Sequence, residues 1–324
     1  MPLMPRSSLH PEIEPFESGR LAVSGGHEIA WERSGARDGA AFLFLHGGPG
    51  SGMTPRHRRY ADPARWQTVQ FDQRGAGAAT PHGALEANTT PHLIADIEAL
   101  RSHLGVERWA VAGSSWGATL ALAYGQAHPG RVDRLIVTGV FLGSAQELDW
   151  IHSPVGAGAV FPDAWDDLMA GVPPRIAADP PAFRRWALDR MTREAASGDI
   201  PEDGMIVRWS LYEERLSHLE TGAAAAAEAV RAKGRNWLVS HSLIEAHYFA
   251  HGCFLGDNQL LRDAPLLDMP VDIIQSRYDM VCPVRAAWRL AAALPHARLH
   301  IVPRHGHAMS EPVFRVLRSV LDAR

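Results

Sequence analysis

The sequence predicts an α/β fold, with a mostly parallel central sheet and an inserted helical cap, on the strength of three observations. Apolar strand-like segments alternate with helical patterns in residues 41–140 and again in 271–302, which is typical of a parallel sheet. Residues 142–261 instead consist of helical segments rich in Trp, Ala and Arg. A serine at the centre of a Gly-x-Ser-x-Gly segment lies where a strand joins a helix. These features favour one α/β core into which a helical segment is inserted.

The strands are predicted from short apolar runs, and the helices from apolar residues at helical spacing. Six strands are expected, at 41–45, 68–71, 108–112, 135–140, 271–275 and 299–302. A helix that Thr90 and Pro91 can begin carries an apolar stripe and is expected to pack on one face of the sheet. The stripe consists of Leu93, Ile94, Ile97, Leu100 and Leu104. A second helix is expected at 116–128, ended by Pro129 and Gly130.

The change of pattern divides the chain into a core and a cap. We assign residues 1–141 and 263–324 to the core and residues 142–262 to the helical cap. The alanine run at 223–227 is interpreted as ordinary helix, and no internal repeat is present. With 324 residues and 46% hydrophobic content, the chain is long and apolar enough for a large packed core.

The composition argues against nucleic acid and membranes as binding partners. The 32 Lys and Arg against 36 Asp and Glu give a net charge of -4, without the basic stripe that nucleic acid or anionic lipid requires. Cys253 and Cys282 are too few for a disulfide framework and lack metal-ligand spacing, which favours a reducing compartment. The first residues carry Pro2, Pro5 and Pro11 rather than a continuous apolar region, and no apolar run approaches the roughly 18 residues of a membrane span. We therefore expect a cytoplasmic protein, monomeric by preference, that binds neither nucleic acid nor membrane.

The segment GSSWG at 113–117 identifies Ser115 as a candidate nucleophile. In a nucleophile elbow the chain turns so sharply that the residues two before and two after the serine must be glycine-sized. Ser115 meets this requirement, whereas Ser114 has Ala112 and Trp116 at those places. The string alone can arise by chance, and its position between a strand and a helix makes the prediction strong.

A serine hydroxyl needs a base to take its proton, and the base needs an acid to orient it. The two later strands, 271–275 and 299–302, are followed by loops that carry such residues. Asp279 lies in the first loop, and His305 and His307 lie in the second. A turn carboxylate and solvated loop histidines are the plain alternatives. Spacing does not separate His305 from His307.

Acyl transfer also requires hydrogen-bond donors for the developing oxyanion. The backbone N–H of Trp116, directly after Ser115, is one candidate. The segment HGGPG at 46–50 follows the strand at 41–45, and in folds with a nucleophile elbow the second donor comes from a loop at this place. We choose the backbone N–H of Gly48 as that donor. A glycine-rich turn without a ligand is the alternative, and a phosphate loop is disfavoured because the Gly-Lys-Ser/Thr ending is missing.

With these parts located, the chain closely resembles the proline iminopeptidase (prolyl aminopeptidase) family of α/β-hydrolases, serine peptidases that release an N-terminal proline. The resemblance spans nearly the whole chain and rests on several motifs in order. These are HPEIEP, HGGPG, DQRGAG, NTTPHLIADIEALRSHLG, GSSWGATLALAYGQAHP, VFPDAW, RYDMVCP and GHAMSEP. The family's catalytic serine, aspartate and histidine fall on Ser115, Asp279 and His307, so the resemblance selects His307 over His305.

The resemblance also implies residues that bind the substrate. Two family segments each supply a glutamate to the substrate amine, and here they read WSLYE and IEAHYF, which gives Glu213 and Glu245. Without the resemblance, Glu213 would be interpreted as part of a solvated helix face. The family's aromatic proline pocket implies Phe141, Phe249 and Tyr248, for which plain core packing is the alternative.

The chain departs from the family pattern at several positions. Ile151 lies where relatives carry an aromatic pocket residue, and Ala246, Tyr212 and Ser51 replace the expected Asn, Trp and Gly. The expected function is a serine aminopeptidase that releases N-terminal proline or a similar small residue through an acyl-enzyme, with no metal or organic cofactor. An esterase or amidase of the same fold with an altered pocket is the alternative.

Overall fold

The computed structural model of the chain describes residues 8–198 and 200–323. Residues 1–7 and Arg324 of the predicted core, with Pro2 and Pro5 among them, and Asp199 of the predicted cap lie outside these ranges. In the described part, eight strands form one sheet in the order β1-β2-β4-β3-β5-β6-β7-β8. The strands are β1 Glu17–Val23, β2 His27–Gly35, β3 Ala40–Leu45, β4 Trp66–Phe71, β5 Trp109–Ser114, β6 Val132–Thr138, β7 Val271–Ser276 and β8 Arg298–Val302.

The prediction of a mostly parallel sheet is confirmed. β1 pairs with β2 and β2 with β4 in antiparallel fashion, and all pairings from β4 through β3, β5, β6 and β7 to β8 are parallel. Each of the six predicted strands has a counterpart among β3 to β8, with ends shifted by at most three residues. Strands β1 and β2 were not predicted, because they form an edge hairpin in which charged residues interrupt the apolar ones.

Helices cover both faces of the sheet, and the side chains of β3 show how. Leu43 and Leu45 belong to an apolar cluster with residues of α1 (Thr90–His103), α2 (Trp116–Ala127) and α12 (Val284–Ala293). Phe42 and Phe44 belong to a second cluster with residues of α13 (Glu311–Asp322). Successive residues of a strand face opposite sides, so a run that is apolar throughout indicates burial on both faces. The predicted helices at 90–104 and 116–128 correspond to α1 and α2.

The nine remaining α-helices of the described residues lie between β6 and β7. They are α3 Ala145–Ile151, α4 Ala157–Val160, α5 Pro162–Met169, α6 Pro174–Ala177, α7 Pro180–Ser197, α8 Met205–Ser217, α9 Ala223–Lys233, α10 Arg235–Ala250 and α11 Gln259–Arg262. Their buried apolar residues are continuous with those on the α1, α2 and α12 side of the sheet. The boundaries of 142 and 262 for a separate cap stay a prediction. None of the described helices has both the length and the apolarity needed to cross a bilayer.

A buried ion pair ties the loop after β4 to α1. The guanidinium of Arg74 contacts the Asp96 carboxylate through two hydrogen bonds of 2.6 and 2.7 Å, and it also donates to the backbone carbonyls of Ser24 and Ala87 at 2.8 Å. The two side chains are 0% and 2% exposed. Because each charge is out of water, each depends on the other for compensation.

Replacing Arg74 by Met is expected to cost about 3–5 kcal/mol of unfolding free energy, since it leaves the Asp96 charge buried without a partner. Denaturant unfolding followed by fluorescence measures this loss. Pairing the change with Asp96→Leu removes the orphaned charge, and the double variant is expected to recover part of the loss. A double variant as unstable as the sum of the single ones would contradict this account.

Candidate active site

Ser115 lies in a strained turn between β5 and α2. Its backbone has φ 58° and ψ -125°, a conformation that L-residues rarely adopt. The Ser115 N–H donates to the carbonyl of Thr138 at the end of β6, at 2.9 Å, which fixes the turn to the neighbouring strand. The strand runs directly into the turn and the helix starts directly after it, so the serine side chain stands at the carboxyl edge of the sheet.

Backbone atoms lie so close to the two glycines of the GSSWG segment that neither position has room for a side chain. A Cβ on Gly113 would lie 2.0 Å from the carbonyl oxygen of Gly117, and a Cβ on Gly117 would lie 2.1 Å from the carbonyl oxygen of Leu45 in β3. Both distances are far below van der Waals contact. The turn therefore requires glycine at both positions, and the requirement extends across the sheet to β3.

Ser115, His307 and Asp279 form a continuous hydrogen-bonded line. The Ser115 Oγ lies 3.1 Å from His307 Nε2, and His307 Nδ1 lies 3.0 and 2.9 Å from the two Asp279 carboxylate oxygens. Asp279 follows β7 and His307 follows β8, with α12 and β8 between them in the chain. Of the two candidate histidines, His307 makes these contacts. The backbone carbonyl of His305 accepts a hydrogen bond from the Tyr278 N–H at 3.0 Å.

Hydrogen bonds from its surroundings hold the Asp279 side chain beside His307. The N–H groups of Val281 and Cys282 donate to one Asp279 oxygen at 3.1 and 2.7 Å, and the Gln275 amide donates to the other at 3.2 Å. Burial lowers the pKa of His307, but the charge of Asp279, the hydrogen bond to Asp279 and the charge of Glu213 together outweigh it and leave that pKa above its ordinary value. With Nδ1–H directed to Asp279, the free Nε2 lone pair faces the serine hydroxyl.

The HGGPG loop packs against the serine turn. A Cβ on Gly47 would lie 3.0 Å from the Ser114 carbonyl oxygen and 3.4 Å from the Ser115 Cβ, so a larger residue would push the loop away. Gly48 has φ 104° and lines the same cavity as Ser115. The other predicted donor, the Trp116 N–H, opens α2, where the first N–H groups have no partner within the helix.

Gln73 links the start of the HGGPG loop to the side chain of Trp116. Its amide donates to the His46 carbonyl at 2.9 Å, and its carbonyl accepts from the Trp116 indole at 2.9 Å. Its backbone N–H donates to His46 Nε2 at 3.1 Å. Burial lowers the pKa of His46 to about 4, so the imidazole is neutral and can accept this bond. The DQRGAG segment thus supports the geometry of the loop.

A cavity of about 410 Å³ opens beside Ser115. Its walls include Gly48, His307 and Glu213, which were predicted from the sequence, together with Glu214, Lys233, Trp237 and His241, which were not. Trp237, His241 and Glu245 occur at intervals of four residues in α10, a spacing that places side chains on one helix face. Helical periodicity extended backward from Glu245 would have identified the two missed residues of α10.

Glu213, Glu245 and His241 lie close together, with one polar atom of each within 4.8 Å of the others. Glu245 is 2% exposed, and the Trp209 indole N–H donates to its Oε2 at 2.6 Å. Burial and the neighbouring Glu213 raise the pKa of Glu245 well above its ordinary range. Burial also lowers the pKa of His241. The neighbouring imidazole of His241 is therefore a poor source of positive charge for the carboxylate pair of Glu213 and Glu245.

The predicted aromatic residues are packed together rather than exposed to this cavity. The rings of Phe141 and Phe249 lie 5.7 Å apart, edge to face, and Phe249 also contacts His152 and Trp209. Tyr248 is fully buried, donates to the Asn88 side-chain carbonyl at 3.0 Å and contacts the Trp116 ring. None of the predicted three is among the described residues that line the cavity.

Ile151, at the position of the missing aromatic, is also buried, at the end of α3. Its backbone carbonyl accepts a hydrogen bond from the Tyr212 hydroxyl at 2.8 Å. Tyr212 also departs from the family pattern. Two of the positions that differ from the family are therefore in direct contact with each other.

Comparison with known proteins gives consistent matches. Residues 40–311 match the family model described as the alpha/beta hydrolase fold. The chain is 41% identical to a probable proline iminopeptidase of Leptolyngbya boryana, covering 97% of this chain and 95% of that protein. It is 42% identical to the proline iminopeptidase of Xylella fastidiosa strain 9a5c, covering 94% and 95%. Identity to the proline iminopeptidase of Arabidopsis thaliana is 39%, covering 95% and 79%.

Solved structures show the same fold at lower identity. An esterase of Exiguobacterium antarcticum superimposes with a TM-score of 0.64 at 16% identity, covering 95% of this chain and all of that one. A proline iminopeptidase-related protein of Thermus thermophilus gives a TM-score of 0.62 at 21% identity, covering 95% and 99%. These likenesses concern the fold.

Replacing Gly113 by Ala is expected to destabilise the protein by about 1–3 kcal/mol or more, because the new Cβ would meet the Gly117 carbonyl oxygen and the backbone would have to move. Thermal unfolding measures the change. Gly130→Ala is the matched control, since a Cβ there meets nothing within 4 Å, and a change below about 0.5 kcal/mol is expected. Similar stability for the two variants would contradict the packing argument.

Proposed function

This chain belongs to the proline iminopeptidase family of α/β-hydrolases, and we propose that it is a serine aminopeptidase that releases N-terminal proline, or a similar small residue, from peptides. The observation that supports this most directly is the hydrogen-bonded line of Ser115, His307 and Asp279 at a cavity that also reaches Glu213. A nucleophile and a carboxylate that can bind an amine thus share one space. This combination suits a substrate whose reacting carbonyl lies next to a free amine.

In the proposed chemistry, Ser115 attacks the carbonyl of the N-terminal residue while His307 Nε2 takes the hydroxyl proton. Asp279 holds the imidazole in the tautomer with Nδ1–H and stabilises its cationic form. The N–H groups of Gly48 and Trp116 receive the oxyanion. His307 then protonates the departing amine, and water, activated by the same imidazole, releases the acyl group from Ser115.

The free amine of the substrate is proposed to bind between Glu213 and Glu245. A buried ammonium requires compensating carboxylates, and two of them in a buried site require a cation. The raised pKa of Glu245 reflects this requirement, because without a cation the protonated acid is favoured. A bound ammonium would favour the ionised form, so substrate binding is coupled to loss of a proton from the carboxylate pair.

Phe141 and Phe249 stay the proposed residues for the side chain of the substrate's first residue, and since neither lines the cavity beside Ser115, their rings are proposed to shape its wall from behind the lining residues. Edge-to-face rings present flat apolar surfaces, which suit a rigid pyrrolidine. For Tyr248 the contacts support a positioning role, because its ring packs against Trp116, whose N–H is a proposed oxyanion donor.

The proposal also includes three expectations from the sequence. The protein is expected to be a cytoplasmic monomer, to need no cofactor for its chemistry, and to carry a cap at residues 142–262.

Ser115→Ala is expected to abolish both turnover and labelling by a fluorophosphonate probe, because the attacking oxygen is lost. His307→Ala is expected to lower kcat by about 10³-fold or more, since the serine proton then has no acceptor. His305→Ala is the matched control and should retain most activity. Prolyl, alanyl and acyl-ester chromogenic substrates measure turnover. Full activity in Ser115→Ala would overturn the serine mechanism.

Glu245→Gln is expected to raise KM for a prolyl amide substrate about tenfold or more, because one carboxylate of the amine site is lost. The measurement compares prolyl amide with its N-acetylated form, which lacks the ammonium and is expected to be a poor substrate. Glu228→Gln, a change elsewhere in the cap, serves as the control. If N-acetylation left turnover unchanged, the amine-binding role of Glu213 and Glu245 would be wrong, and a general esterase or amidase would be favoured.

A further inference from the structure

Lys233 is the sole lysine of the chain, since the other 31 of its 32 basic Lys and Arg residues are arginines. It is the last residue of α9 and lines the cavity beside Ser115. Among the described residues that line this cavity, it is the only Lys or Arg. The side-chain amine of Lys233 therefore lies in the same space as the proposed nucleophile.

The contacts of Lys233 fix its position relative to the loop that follows β3. Its Nζ lies 4.4 Å from the centre of the Trp237 ring, and the Trp237 indole donates to the Ser51 carbonyl at 2.9 Å. Ser51 directly follows the HGGPG loop. The ammonium is thereby connected, through one ring and one hydrogen bond, to the loop that carries Gly48.

The ammonium retains capacity for a further ligand. Glu214 accepts one hydrogen bond from it at 2.9 Å, whereas an ammonium has three donors. Glu214 has a second partner in His218, whose Nδ1 lies 3.0 Å from its carboxylate, so its charge does not depend on Lys233 alone. The Lys233 side chain is 35% exposed, which leaves it accessible from the cavity and from solvent.

The cavity thus contains groups of both charges. Glu213 and Glu214 are neighbours in α8, and adjacent helix residues point about 100° apart. Glu213 is directed to Glu245 and His241, and Glu214 is directed to Lys233. A short peptide carries the complementary charges, with an ammonium at one end and a carboxylate at the other, and a cavity of about 410 Å³ is of a size for such a ligand.

We infer that Lys233 receives the C-terminal carboxylate of di- and tripeptide substrates while Glu213 and Glu245 hold the ammonium. This rests on the proposed aminopeptidase function and specifies its substrate class: short peptides with a free carboxylate are preferred to the same peptides with an amidated C-terminus. Because a lysine is a compact point charge with three freely rotating donors, it can bind carboxylates of substrates that differ in length by one residue.

The test compares kcat/KM for Pro-Ala and Pro-Ala-Ala as free acids with kcat/KM for the same peptides as C-terminal amides. The free acid of at least one length is expected to be favoured about tenfold, from a lower KM, because a hydrogen bond to a charged group is gained. In Lys233→Gln this ratio is expected to fall close to one. In Lys233→Arg, which keeps the charge, most of the ratio should remain.

Chemical modification provides a second measurement on the folded protein. Acetylation of the native protein is expected to remove the preference, because Lys233 is the only lysine available for the reagent. Acetylated Lys233→Arg is the control for modification elsewhere, and it should retain the preference. Equal use of acids and amides by the unmodified protein, or a ratio unchanged in Lys233→Gln, would overturn this inference. Absence of turnover for all four peptides would instead overturn the proposed function, and the inference with it.

Discussion

The packing of two glycines around Ser115 is the constraint on which the site depends. β5 lies between β3 and β6, and the turn at its end contacts both strands, through the Gly117–Leu45 approach on one side and the Ser115–Thr138 hydrogen bond on the other. The loops after β3, β5, β7 and β8 all emerge at the carboxyl edge of parallel strands, where ligand sites of open α/β sheets occur. The sheet order therefore brings together residues that are up to 259 positions apart, from Gly48 to His307.

Much of this arrangement could be predicted from sequence because it depends on local patterns. Runs that are apolar throughout identified β3 to β8, and a glycine-flanked serine between strand and helix identified the turn. The hairpin of β1 and β2, at one side of the sheet, was not predicted because its strands carry charged residues whose partners lie elsewhere in the chain. Glu32 in β2, for example, is buried against Arg58. The family resemblance, confirmed by relatives with 39–42% identity, supplied the choice between the two histidines that spacing left open.

The side-chain contacts in the region between β6 and β7 were less predictable, because they are made with residues on other helices. Glu213 looked like part of a solvated face, yet its neighbours in space are Glu245 and His241 of α10. Phe141 and Phe249 were expected to form a substrate pocket, and in the structure their rings contact each other. Which helix faces which is set by packing of the whole helical region, and no local pattern specifies it.

The helices between β6 and β7 are bonded directly to three of the loops around Ser115. The Trp237 indole donates to the carbonyl of Ser51, and the Trp150 indole donates to the carbonyl of Met280, next to Asp279, at 2.8 Å. The Ala308 N–H, next to His307, donates to the carbonyl of Ser217 at 3.1 Å. A displacement of these helices would therefore strain the loops that carry the proposed donor, acid and base. In the proposed mechanism, recognition of the substrate amine by Glu213 and Glu245 and alignment of the reacting groups are coupled through the same helices, which would hold the bound peptide where the hydroxyl of Ser115 can attack.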